Sequence, residues 1–205
     1  TTDFDFYNAV RRHIEQKENT TELAGYVKGK IISKNKKLIM EPSLRLHYYA
    51  ALRDFSPEPR FGTKYNVNDW FRVKFAGGFY SQNLLSATSD RDVVNLFYGF
   101  LSGSDNIQDE FMDENGNVQQ VRHHLQKAWH AIGGIEIDLS KRLDLNVEAY
   151  WKQFTQLTNI NRSKLFDDDE QHADVVDQLK KDFIVETGSA KGIDFLLKYD
   201  YKRLY

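Results

Sequence analysis

The chain has 205 residues, with 28 Lys+Arg against 30 Asp+Glu and a formal charge of −2, so it lacks the basic excess that nucleic-acid binding requires. Hydrophobic residues make up 40 % and cysteine is absent, which argues against global disorder and removes disulfides, thiolate metal sites and cysteine nucleophiles together. No run approaches the ~18 apolar residues of a transmembrane helix.

Residues 1–22 read as a loop-like start, and Thr1-Thr-Asp-Phe-Asp-Phe-Tyr7 lacks the basic-then-apolar pattern of a signal peptide. The stretch 23–32 then places Leu23, Val27 and Ile31 on one face, and Ser33-Lys-Asn-Lys-Lys37 turns it tightly into a hairpin. Residues 38–53 alternate throughout: Leu38, Met40, Pro42, Leu44, Leu46, Tyr48, Ala50 and Leu52 oppose Ile39, Glu41, Ser43, Arg45, His47, Tyr49, Ala51 and Arg53. Successive side chains of a strand point to opposite faces, so the pattern predicts a strand of 16 residues with one apolar and one charged face. Ordinary strands are about half that length.

Asp54-Phe-Ser-Pro-Glu-Pro59 reads as a break on its two prolines. Phe61, Thr63, Tyr65 and Val67 next alternate with Arg60, Gly62, Lys64 and Asn66, and Asn66-Val-Asn-Asp69 turns the chain again. Phe71, Val73, Phe75, Gly77 and Phe79 form a third apolar row, facing away from Trp70, Arg72, Lys74 and Tyr80. From Ser81 to Gln126 the alternation lapses for 46 residues, far beyond the usual connection, so this loop is functional or disordered. Within it, 89–101 has enough apolar residues for a short helix, and Asp113-Glu-Asn-Gly-Asn117 reads as a hairpin turn between short strands. Trp129, Ala131, Gly133, Ile135, Ile137 and Leu139 resume the pattern against His130, Glu136 and Asp138, and Ser140-Lys-Arg142 turns it into Leu143, Leu145, Val147, Ala149 and Trp151. A second long connection, 156–182, carries a solvated acidic run Asp167-Asp-Asp-Glu170. Ile193, Phe195, Leu197, Tyr199 and Tyr201 make the last apolar row, and the chain stops at Leu204-Tyr205 inside or at the start of another segment.

Tight turns thus alternate with the connections at 54–59, 81–126 and 156–182. An apolar face, a polar face and loops long on one side only are the pattern of a transmembrane β-barrel wall. Trp70, Trp129, Trp151, Tyr199 and Tyr201 lie near predicted strand ends, where an interfacial girdle sits. The expected fold is all-β: one antiparallel meander across 1–205, part of a transmembrane β-barrel, with short turns on one side and long extracellular-type loops (81–126 and 156–182) on the other. A long soluble sheet with one face on a core is the alternative reading of the alternation.

Five stretches sharpen the choice: Pro57-Glu-Pro-Arg-Phe-Gly-Thr-Lys-Tyr65, Ala76-Gly-Gly-Phe-Tyr-Ser-Gln-Asn83, Lys127-Ala-Trp-His-Ala-Ile-Gly-Gly-Ile-Glu136, Leu143-Asp-Leu-Asn-Val-Glu-Ala-Tyr-Trp-Lys152 and Gly188-Ser-Ala-Lys-Gly-Ile-Asp194. In this order and spacing the chain from about Leu23 to Tyr205 resembles the barrel of TonB-dependent outer-membrane receptors. The resemblance implies a 22-stranded parent barrel in the cell outer membrane, importing a scarce large nutrient (siderophore, cobalamin or glycan type) with energy from the TonB complex. Its implied partners are outer-membrane lipid, an N-terminal plug domain, the remaining barrel strands and TonB. The plug has no counterpart among these residues, so the chain is expected to be a piece of a longer precursor. Asp194 departs from the pattern, standing where the family more often has glutamate.

No motif of a hydrolase, a phosphate-binding loop or a zinc protease is present, and no cofactor or metal is expected. Adjacent His123 and His124 would point to opposite faces, and Asp113, Asn115 and Asn117 imitate a calcium loop with its glycine misplaced and its terminal glutamate missing. Glu136 and Glu148 could face each other as an acid-base pair, though solvated or salt-bridged charge is the plainer reading. The lumen-facing set expected from the alternation is Arg45, His47, Tyr49, Arg60, Lys64, His130, Glu136 and Glu148. The candidates for ligand contact lie on the long loop, at Asn83, Asp90, Arg91, Asp92, Asn95, Phe97, Tyr98 and Phe100, where aromatics stand beside hydrogen-bonding groups; an Ω-like loop packed on itself is the plainer reading of the same residues. The function expected is non-enzymatic binding and import; the alternative is a soluble β-rich ligand-binding module, for example of the carbohydrate-binding type.

Overall fold

A computed structural model describes residues 2–7, 10–18, 21–50, 52–86, 100–104, 106–113 and 116–200. It is nearly all β. The strands are β1 (Thr2–Tyr7), β2 (His13–Glu18), β3 (Glu22–Lys28), β4 (Ile31–Ile32), β5 (Leu38–Tyr49), β6 (Asp54–Asn66), β7 (Phe71–Gln82), β8 (Leu84–Ser86), β9 (Phe100–Ser102), β10 (Glu110–Met112), β11 (Val118–Gln120), β12 (Gln126–Ser140), β13 (Leu143–Ile160) and β14 (Phe183–Tyr199). The principal sheet is antiparallel and open, in the order β14-β13-β12-β7-β6-β5-β3, with β4 also on β5. β1–β2, β8–β9 and β10–β11 are separate hairpins.

Registers carry one apolar face across the whole sheet. Leu44 lies opposite Pro59, Thr63 opposite Phe75, Val73 opposite Ile135, Ile135 opposite Val147 and Val147 opposite Phe195. Among the described residues nothing covers this face: Phe75, Phe79 and Phe195 are 48 %, 56 % and 73 % exposed. The buried apolar cluster lies elsewhere, at the end of the sheet that carries the long connections. Ile160, Phe183 and Val185 from the ends of β13 and β14 pack there against Ile14 of β2 and Ile107, with Phe111 and Val121 against them.

Several boundaries differ from expectation. β5 has 12 residues, not 16, and ends at Tyr49; beyond it the Arg53 N–H bonds the Ala50 carbonyl, with Arg53 at φ +53°. The 54–59 stretch is not a break but the first half of β6. So the β5–β6 connection is short, an exception to the expected alternation of turns and loops. Prolines fit because their spacing of two aims both missing N–H groups at one edge. Asn66, an even-numbered position of β6, donates its N–H toward β5 at Lys37. The odd-numbered Pro57 and Pro59 therefore face the β7 side, where pairing begins only at Arg60 opposite Gly78.

The expected loop at 156–182 is shorter, because β13 runs to Ile160 and β14 starts at Phe183. Its acidic run is bonded: Asp167 pairs with Arg12 at 3.0 Å, Asp168 with Lys181 at 3.0 Å, and Asp169 caps the 3-10 turn Glu170–His172. Residues 1–22 hold the β1–β2 hairpin in place of a loop, the alternating Asp and Phe of the sequence being a strand signal. The short strands expected either side of 113–117 pair as β10 and β11, with Gly116 at φ +81° and the Asp113 N–H on the Asn117 carbonyl, while 114–115 lie outside the described residues. Most of the helix expected at 89–101 lies outside the described residues, and 100–101 belong to β9.

Candidate functional site

The polar face of the sheet carries two clusters. In the first, Lys64 of β6 lies opposite Lys74 of β7, Lys74 opposite Gly134 of β12, and Gly134 opposite Glu148 of β13. One row over, Arg72 lies opposite Glu136. Cross-strand neighbours on one face are within reach of each other's side chains, so Glu136 collects Lys64 at 2.6 Å, Arg72 at 3.0 Å and Lys74 at 3.3 Å. Lys74 also pairs with Glu148, Arg72 holds Asp138 through both ends of its guanidinium, and Asn146 donates to Glu148 at 3.0 Å. Gly134 is the gap that admits this. A Cβ there would meet the Val147 carbonyl at 2.8 Å, Glu148 Cγ at 2.9 Å and Lys74 Cε at 3.0 Å.

The second cluster fills the seam where β6 and β7 stop pairing. Glu58, 1 % exposed, accepts the Ser81 N–H at 3.1 Å and the Ser81 hydroxyl at 2.6 Å on one oxygen. Its other oxygen takes Arg60 at 2.5 Å and lies 3.7 Å from Arg45. The Tyr49 hydroxyl donates to the Ser81 carbonyl at 3.3 Å. Side chains thus satisfy backbone groups of Ser81 that the proline-bearing edge of β6 leaves unpaired. Arg60 lies 4.2 Å over the Tyr80 ring, which stacks on His130 at 4.4 Å; His47 stands 4.1 Å from the Tyr49 ring and 3.4 Å from Glu22.

All eight residues of the expected lumen set occupy this face. Arg45, His47, Tyr49, Arg60 and His130 belong to the seam, and Lys64, Glu136 and Glu148 to the charge network. Sequence reasoning missed Glu58, hidden between prolines taken as a break, and left Arg72, Lys74 and Asp138 out of the site although the alternation put them on the same side. Glu136 and Glu148 are not directly opposed: Asn146 faces the first and Gly134 the second, and Lys74 binds both. Carboxylates tied to cations in this way serve as structure more readily than as an acid-base pair.

Of the expected ligand set, Asn83 and Phe100 are among the described residues. Asn83 is 3 % exposed and its carbonyl accepts the Gly103 N–H. Phe100 lies in β9 opposite Ser86. Asp90, Arg91, Asp92, Asn95, Phe97 and Tyr98 lie outside the described residues. Among the described residues no group of three metal-binding side chains occurs.

The second connection is tied down from several sides. Asn161 donates to the Gln178 and Lys181 carbonyls at 2.8 Å each, and buried Lys164 pairs with Asp182 at 2.5 Å. Burial pulls the Lys181 ammonium down, but Asp168, Asp109 and Asp177 outweigh it and leave the group raised. Asp169 is held below the ordinary carboxylate value chiefly by the His172 ring. In the first connection, burial and then Lys127 push the His123 imidazole down.

No family model matches the chain, and no curated protein matches it in sequence. Among solved structures, the fold is similar to that of the siderophore receptor PirA from Pseudomonas aeruginosa, with 12 % identity and a TM-score of 0.53. The match covers 87 % of this chain and 31 % of that one. The likeness is one of fold, and the chain spans about a third of the receptor's length.

Proposed function

We propose that the chain is a wall segment of an outer-membrane receptor barrel whose parent binds and imports a scarce large nutrient, driven by the TonB complex, without altering it chemically. The observation that carries the reading is the two-faced sheet. A soluble protein would cover a face bearing Leu46, Phe75, Phe79 and Phe195, whereas lipid covers it at no further cost. The opposite face holds its charges in bonded networks, as a water-filled or plugged lumen wall does. The open order β14 to β3 leaves two outermost strands for the remainder of a barrel, and the fold likeness to a receptor about three times as long is consistent with that.

The test is folding into lipid vesicles. Arginine at Val147 or Phe195 should cost about 2–4 kcal/mol near mid-membrane, while arginine at Ser43 or Asn146 should cost little. Equal penalties on both faces would overturn the membrane reading in favour of a soluble sheet.

A further inference from the structure

At the end of the sheet that carries the long connections, a cleft of ≈ 530 Å³ opens between the β10–β11 hairpin and the adjoining ends of β13 and β14. β13 is irregular here. Lys127 lies opposite Gln156 but Ala128 opposite Phe154, and Phe154 opposite Gly188 but Leu157 opposite Glu186, so Thr155 is bulged out of both ladders. A bulge bends its strand and re-aims side chains. Gln153, Thr155 and Gln156 line the cleft from this bulge, facing Gln119 and Gln120 of β11 and Thr187 of β14.

Four glutamines and two threonines line it, and the rings of Phe111 and Phe154 add two apolar surfaces. Charge is balanced, one cation at Arg122 against one carboxylate at Asp113. The carboxylate is already engaged, accepting the Asn117 N–H at 2.8 Å and the Gln119 amide at 3.2 Å. His123 also lines the cleft, and its buried Nδ1 has no partner. We propose that this cleft binds a neutral, polyhydroxylated ligand of the oligosaccharide class. Gln156 and Thr155 are tied to the His123 and Lys127 carbonyls at 2.7 and 3.1 Å, which leaves the Gln120 amide, donor and acceptor together as sugar hydroxyls are, and the Thr187 hydroxyl to meet a ligand, while phenyl faces suit the C–H face of a pyranose. With one lining charge of each sign, the cleft has no excess that would favour a charged chelate over a neutral ligand. The volume lies within the range of small-molecule sites, roughly 300–1,000 Å³. The proposal rests on the reading of this end of the sheet as the side that meets the ligand.

The full-length protein, fractionated from cells and purified in detergent, is titrated by calorimetry with neutral gluco-, manno- and xylo-oligosaccharides, with ferric ferrichrome and oligogalacturonate as charged or iron-bearing comparators. One neutral series should bind, and Gln120→Ala and Thr187→Val should each weaken it about ten-fold while leaving the folded protein intact by circular dichroism. Absence of neutral-sugar binding, binding unchanged in both variants, or preference for a comparator overturns the proposal. Fractionation separates the two readings: sugar binding by a protein found outside the outer membrane supports the cleft and overturns the barrel, and an outer-membrane protein that binds no sugar does the reverse.

Discussion

The carboxylate of Glu58 accepts the backbone N–H of Ser81 at 3.1 Å, a bond that stands where the ladder between β6 and β7 is interrupted by Pro57 and Pro59. Removing this side chain strands the Ser81 N–H and leaves Arg45 and Arg60 without their shared partner. Breaking a buried, hydrogen-bonded charge costs about 3–5 kcal/mol, less where water can enter. Glu58→Ala should therefore lower stability by about 2–4 kcal/mol in urea titrations of the micelle-bound protein. Glu58→Gln, which keeps an acceptor, should lose less. A change in Glu58→Ala within about 0.5 kcal/mol of the parent, the scatter of an ordinary surface site, would show that the seam is held by other contacts.

Neighbouring glycines should behave in opposite ways. A Cβ at Gly134 would press on the Val147 carbonyl and on both members of the Lys74 and Glu148 pair, whereas one at Gly133, on the apolar face, meets nothing within 4 Å. Overpacking that forces backbone to move costs about 1–3 kcal/mol. Gly134→Ala should pay that, and Gly133→Ala should be neutral or slightly stabilising through the unfolded chain. Thermal unfolding of both variants decides it; equal midpoints would mean that β12 relaxes freely at 134.

Much of this arrangement is legible in the sequence because side-chain direction in a strand follows from covalent geometry: alternate residues share a face whatever their partners. Arg45, Lys64 and Glu136 accordingly share one side of the sheet. Which cation meets which carboxylate depends on register, set by turns and by neighbouring strands, so the sequence offers salt-bridged charge at Glu136 without naming its partners, and the structure supplies Lys64, Arg72 and Lys74. The prolines misled for a specific reason. A proline is a breaker only where its N–H is needed, and at Pro57 and Pro59 it is not. Asn83 shows the opposite limit: a polar residue in a loop looks available, and only packing reveals that it is buried.

The second connection should loosen in acid. Asp169 accepts N–H groups of Gln171 and His172 and the His172 ring at 2.6 Å, and its carboxyl is lowered by these bonds, the ring's first. A carboxyl depressed in the folded state contributes stability that is complete above its unfolded value, about pH 4, and is lost as pH falls through the lower folded value. Hydrogen exchange at 170–173, corrected for the intrinsic pH dependence, should accelerate across that window, and Asp169→Asn should abolish the step. A step that persists in the variant would assign it to another carboxylate.

Glu136→Gln tests the charge network by its imbalance. With Glu136 neutral, Lys64, Arg72 and Lys74 share only Asp138 and Glu148, so three cations face two carboxylates across a few ångströms. The side chains are 23–37 % exposed, and water screens part of the repulsion, which places the penalty at about 1–2 kcal/mol, well below that of a fully buried pair. Two signatures separate repulsion from simple loss of packing. The penalty should shrink as salt rises and shortens the screening length, and Lys64→Gln in the same chain should return most of the stability, giving a coupling energy of opposite sign to the single losses. Urea titrations of the two single variants and the double variant at low and high salt measure both. Additive losses that ignore salt would mean that the network is a set of independent, solvated side chains and that the polar face of the sheet gains no cohesion from it.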